Sequence, residues 1–80
     1  MKLFSTEEFN SGLDVLSTKN KNDLLTVLKF LTDNGKKKII ESPKVVSISN
    51  DVYSFLSDEL KVYFKINDNK VFLINFVLSG

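Results

Sequence analysis

The sequence contains no cysteine, no histidine, no tryptophan and no arginine. Each absence removes some chemistry. Without cysteine there is no disulfide and no thiol nucleophile. Without histidine there is no imidazole base and no Ser-His-Asp triad, and with cysteine also missing no Cys/His zinc site can form. Without arginine there is no planar fork for bidentate phosphate binding. All 11 positive charges are lysines, set against 10 carboxylates for a net charge of +1. That balance makes no global case for nucleic acid or a membrane surface. Proline is limited to Pro43, and glycine to Gly12, Gly35 and Gly80. An enzyme built from this chain would have to work with lysine, tyrosine, serine and carboxylates.

Long apolar runs are also missing. The longest, Val71 to Leu78, is interrupted by Asn75 and is too short to span a bilayer. Leu3 and Phe4 are followed at once by Ser5, Thr6, Glu7 and Glu8, so no signal-peptide apolar region follows the start. The expectation is a soluble, cytoplasmic protein with no membrane contact. Its 80 residues suit one domain, residues 1–80, held by its apolar core alone. No Gly-rich phosphate loop, nucleophile elbow or acidic metal cluster is present, so no cofactor and no metal are expected.

What is present divides at Gly35 and Pro43. Ser5 with Glu8 reads as a capping box, and Phe4 with Phe9 as a hydrophobic staple, which start a first helix. Phe9, Leu13 and Leu16 lie on one face of it. Gly12 adjoins that face and admits a close neighbour. Residues 2–4 are a candidate short edge strand. Asn22 is the expected cap of a second helix, followed by Asp23 in its first turn. Leu24, Leu25, Val27, Leu28, Phe30 and Leu31 cover more than half its circumference, which predicts burial on two sides. Asn34-Gly35 reads as its end, with Gly35 in a left-handed cap.

After Pro43 the period changes from 3.6 to 2. Val45, Val46 and Ile48 suggest a short strand, and Val52 to Leu56 another. Leu60, Val62, Phe64 and Ile66 alternate with Lys61, Tyr63 and Lys65 in the clearest strand pattern. Val71 to Leu78 reads as a strand inside the sheet. A three-residue loop, Asn67-Asp68-Asn69, would set Phe64 opposite Phe72, Val62 opposite Ile74 and Lys61 opposite Asn75. A two-residue loop would place Asn75 on the apolar face. Burial favours the first register, with Asn69 left-handed.

Two groups of residues could carry function. Residues 35–44 hold Lys36, Lys37, Lys38 and Lys44 against Glu41 alone, a local +3. This run is a candidate phosphate-binding patch. The plainer explanation is solvated cations past a helix C-terminus, where the macrodipole favours them. The second group is the polar face of the sheet, Lys61, Tyr63, Lys65 and Asn75. There lysines could hold phosphates, a tyrosine could stack a base or relay a proton, and an asparagine could orient a group. Its plainer explanation is a solvated face whose lysines guard the strands.

The order of elements, with the Leu60-Lys61-Val62-Tyr63-Phe64-Lys65-Ile66 strand, the Asn67-Asp68-Asn69 turn and the apolar Val71 to Leu78 strand, resembles the RelE/ParE-type bacterial toxins. The pair of helices over 6–34 resembles their helical hairpin. The resemblance implies an α+β fold, with an N-terminal helical hairpin packed on a small C-terminal antiparallel sheet. It implies a toxin of a toxin–antitoxin pair, acting on translation by mRNA cleavage or on DNA gyrase, and neutralised by a cognate antitoxin. Tyr63, Lys61 and Lys65 would be the catalytic candidates, with Lys36, Lys37, Lys38 and Asn75 as binding candidates and the ribosome, mRNA or gyrase as target. The chain departs from the ribonuclease branch in lacking the arginine and histidine common there. The alternative is a small non-catalytic protein-interaction module, a phage or host regulator, on the same scaffold.

Overall fold

Strand periodicity after Pro43 becomes a four-strand meander, and the N-terminus adds a fifth strand. The computed structural model describes residues 1–78. In chain order the elements are β1 (Lys2–Ser5), α1 (Glu7–Ser11), a 3₁₀ turn (Leu13–Val15), α2 (Thr18–Asp33), α3 (Lys36–Glu41), β2 (Val45–Ser49), β3 (Val52–Ser57), β4 (Leu60–Asn67) and β5 (Lys70–Leu78). The sheet order is β1-β5-β4-β3-β2. Neighbours are antiparallel except β1, which runs parallel to β5 along one edge. The fold is α+β, as expected, but the sheet is mixed rather than purely antiparallel.

The helical half differs from the expected hairpin. Thr6, not Ser5, caps α1, its hydroxyl accepting from Phe9 N at 3.1 Å. Ser5 is instead the last residue of β1, whose pairing with Leu73 fixes its backbone as strand. The shift removes both the capping box and the staple: Phe4 lies on β1, and Glu8 no longer occupies the third helical position. Helix α1 stops at Gly12 and packs mainly on β5. Leu16 is buried from extended backbone rather than from a helix face.

Helix α2 starts five residues earlier than expected. Ser17 caps it, accepting from Asn20 N at 3.2 Å, so Asn22 is an interior residue. Leu24, Val27 and Leu31 are buried, while Leu25 is exposed. The helix is therefore covered on one side only, because α1 does not run along it. Gly35 is not left-handed: it has φ −85° and caps a third helix, α3. Ile39 anchors that helix in the core.

Strands β4 and β5 meet through a two-residue loop, not three. Asp68 takes the left-handed conformation with φ 55°, in place of Asn69. Asn67 faces Lys70, Ile66 faces Val71 and Phe64 faces Leu73. Continued unchanged, this register would turn Asn75 into the core. A β-bulge at Ile74 prevents that. Pairing resumes with Tyr63 opposite Asn75 and Val62 opposite Phe76. One inserted residue thus sends the amide outward and the phenyl ring inward. The bulge is pinned by side chains. Thr6 Oγ1 donates to Ile74 O at 2.8 Å, and Phe76 N donates to Asn75 Oδ1 at 2.8 Å. Gly12 makes room for the ring: a Cβ there would stand 2.8 Å from Phe76. Phe76 then meets Phe9 edge-on.

All three helices lie on one side of the sheet, over a core that includes Phe9, Val27, Leu31, Ile39, Phe55, Val62, Phe64 and Leu73. No helix among the described residues is long and apolar enough to cross a membrane.

Candidate nucleic-acid interface

The side of the sheet away from the helices carries the sequence-derived candidates. Leu60, Val62, Phe64 and Ile66 are at most 1% exposed, which fixes the orientation of β4. Its alternate residues Lys61, Tyr63 and Lys65 therefore point to the open side. Their spacing along the strand is about 6.6 Å per pair of residues. Tyr63 and Lys61 are half-buried and Lys65 is exposed.

Cross-strand pairing defines what surrounds each group. Tyr63 lies between Ser54 on β3 and Asn75 on β5. Lys61 lies between Leu56 and Val77, and Lys65 between Val52 and Phe72. The bulge thus brings Tyr63 and Asn75 together as direct partners; the expected partner of Asn75 was Lys61. Asn75 Nδ2 also donates to Glu8 Oε1 at 3.3 Å, so its amide is held from both ends and its orientation is fixed.

Ser54 is only 4% exposed between its cross-strand neighbours Val46 and Tyr63, whereas the larger apolar residues Phe4, Val46, Leu56 and Val77 on this face are 42–56% exposed. No outward strand position is acidic. Glu8 reaches this face from α1 and accepts from Asn75 there. Lys2 and Lys70 are register partners on β1 and β5 and extend the cationic surface. None of Lys2, Lys61, Lys65 and Lys70 forms an ion pair among the described residues. Lysines without a carboxylate partner beside exposed apolar side chains suit an anionic ligand with flat apolar parts.

The second candidate group lies elsewhere. Lys36, Lys37 and Lys38 form the first turn of α3, not a tail behind α2. The macrodipole therefore disfavours them, contrary to the expectation. Lys36 is partly compensated by Asp51 at 3.8 Å. Because α3 covers β2 from the helix side, this run and Tyr63 occupy opposite sides of the sheet. Tyr53 on β3 faces the core and stacks on Phe64.

Sequence reasoning missed an aromatic pair on the open face. Phe4 and Phe72 are register partners on β1 and β5, and their rings stack at 5.3 Å and 23°. Phe72 was hidden inside an apolar run and Phe4 resembled a staple. The usable signal was the Lys2-Leu3-Phe4 alternation, which gives Phe4 the same face as Lys2.

Compared as a sequence, the chain matches no protein-family model and no curated protein. Compared as a structure, it is similar to chains of known complexes. One belongs to the RelB–RelE antitoxin–toxin complex of Methanococcus jannaschii, with TM-score 0.74 and 6% identity over 94% of this chain and 88% of that one. Another belongs to the archaeal RelE–RelB complex of Pyrococcus horikoshii, with TM-score 0.74 and 13% identity over 99% and 94%. The solution structure of a conserved hypothetical protein from Helicobacter pylori matches with TM-score 0.67 and 9% identity over 98% and 93%. The fold is the one found in RelE–RelB toxin–antitoxin complexes. At these identities the likeness is one of fold alone.

Proposed function

We propose that this protein is a RelE-type toxin that acts on RNA during translation in the cytoplasm and is held inactive by an antitoxin. The observation that carries this reading is the open sheet face, whose lysines have no carboxylate partner among the described residues, on a fold shared with RelE–RelB complexes. Lys61 and Lys65 flank Tyr63 on one strand and hold phosphates on either side of it. The Tyr63 hydroxyl donates to, or exchanges a proton with, the reacting ribose–phosphate group. Asn75, fixed by Glu8 and by the bulge, orients the strand beside it. Lysine binds phosphate as a point charge and not as a bidentate fork, so positioning falls to the apolar walls Phe72, Val52, Leu56 and Val77. The antitoxin covers the same face and its exposed apolar residues.

Induced expression in a bacterium tests this. The wild type should arrest growth and cut mRNA, with relief by a co-expressed antitoxin. Tyr63→Phe should lose cleavage while still binding the antitoxin. Harmless expression with intact mRNA overturns the reading.

The exposed Val46, Leu56 and Val77 favour a second reading, a non-catalytic module that binds a protein. In that case Lys61→Ala and Lys65→Ala weaken the partner in a salt-dependent way and no RNA is cut.

A further inference from the structure

Phe4 and Phe72 form a two-ring stack on the face away from the core. Apolar rings that served only stability would be placed under the helices, where Phe9, Phe55 and Phe64 are. Phe4 is instead 43% exposed. It stands on β1, the edge of the sheet. Among the described residues no strand lies beyond it, so the stack is open on that side to a third planar group.

Three cations surround the pair. Lys65 is the cross-strand partner of Phe72. Lys2 and Lys70 face each other one row away on β1 and β5. Two lysines set side by side on adjacent strands repel each other, and no carboxylate pairs with either among the described residues. That arrangement is relieved by a bound anion. A planar group beside the rings and phosphates beside the lysines together describe one ligand class. Single-stranded nucleic acid is held on sheet faces by this combination of aromatic stacking and lysine contacts.

We propose that Phe4 and Phe72 form a base-stacking platform, with Lys2, Lys65 and Lys70 as its phosphate contacts, which holds one nucleotide of single-stranded RNA beside Tyr63. The proposal rests on the RNA-directed reading above and adds a subsite to it. The platform selects for a large base surface, so purines bind more tightly than pyrimidines. It also gives the apolar stack on this edge a role in substrate register: the base on Phe4 fixes which phosphate reaches Tyr63, two rows across the sheet.

The experiment uses oligoadenylate and oligouridylate RNA of about ten nucleotides, a length within the usual range for one such domain, with binding measured by fluorescence anisotropy at several salt concentrations. The wild type should prefer oligoadenylate. Phe4→Leu keeps the apolar volume and removes the π-face; it should weaken oligoadenylate binding about tenfold and erase the preference. Phe4→Tyr should restore both. Lys70→Gln should weaken both RNAs alike and lower the salt slope by about one. A thermal melt checks that each variant is folded, which Phe4 allows because it lies outside the core. If the wild type binds RNA and Phe4→Leu binds equally well, the platform is wrong and the RNA-directed reading stands. If the wild type binds neither RNA but captures an acidic apolar peptide through Phe4, both fall and the protein-binding reading takes their place.

Discussion

The two sides of β4 obey opposite rules. On one side Leu60, Val62, Phe64 and Ile66 are sealed under the helices. On the other, Lys61, Tyr63 and Lys65 stand on a face that no element among the described residues covers. The same strand serves both, because alternation sends every second residue the other way. The covered side therefore holds the stability of the domain, and the open side is free to carry function without weakening it. A surface with exposed Phe4, Val46, Leu56 and Val77 is more apolar than a solvated face requires.

The largest expected effect sharpens this contrast directly. Phe64→Ala should cost about 3–5 kcal/mol, a transfer loss plus an unfilled cavity. That is a large share of the stability of so small a domain. Lys65→Ala, its neighbour in sequence, should change stability by less than about 0.5 kcal/mol. Chemical denaturation of both variants measures the difference. Comparable losses would mean that the open face is part of the fold.

Strand β5 makes the same comparison within an apolar run. Leu73→Ala should cost about 2–5 kcal/mol, since Leu73 is 4% exposed against Phe64. Ile74→Ala should cost less than half as much, because the bulge residue lies on the half-exposed outer side. The register expected from the sequence put Phe72 and Ile74 on the core face opposite Phe64 and Val62, and the structure gives that place beside Phe64 to Leu73 instead. A thermal melt in which Ile74→Ala is the more damaging variant would refute the bulge.

That bulge also marks the limit of what the sequence disclosed. The strands were legible because period-2 alternation and short polar turns were strong, and β5 was correctly placed inside the sheet. Gly12 announced a close approach, and Phe76 provides it. The register was not legible. Of the two uniform ladders, the two-residue one holds only for the half next to the turn and the favoured three-residue one holds for neither half, and the solution depends on Thr6, nearly 70 residues away. The helix starts were misjudged because Ser5, Thr6, Ser17 and Asn22 are all acceptable caps, and tertiary pairing chose among them. Of the candidate site, β4 alternation alone put Lys61, Tyr63 and Lys65 together. The Phe4–Phe72 pair needed the parallel contact of β1 with β5, which no local pattern encodes.

A smaller effect belongs to the joint between the two sides. Thr6→Val removes the α1 cap and the hydroxyl that holds the bulge. It should cost about 1–2 kcal/mol. The bulge should loosen with it, seen as faster exchange of the Phe76 amide, and the orientation of Asn75 beside Tyr63 should become less fixed. RNA cleavage should then fall by more than the stability loss accounts for. A variant that is less stable but fully active would show that Asn75 needs no such support.

The smallest effect contrasts lysines on the two sides. Those on the open face have no carboxylate partner, whereas Lys19 on α2 has three. It donates to Asp58, approaches Glu59 at 3.5 Å and Asp23 at 3.9 Å, and so ties the first turn of α2 to the β3–β4 turn. Its pKa is raised above the ordinary lysine value, chiefly by the hydrogen bond to Asp58. A raised folded pKa means that the stabilisation is fully present below the ordinary lysine range and is lost as pH climbs through the raised value. Lys19 is exposed and screened by solvent and salt, so the effect is slight. The difference in melting temperature between wild type and Lys19→Gln should therefore hold constant through neutral pH and vanish only at strongly alkaline pH. It should also shrink in high salt. A difference that survives alkaline pH would mean that its aliphatic stem, not its charge, joins the helix to the turn.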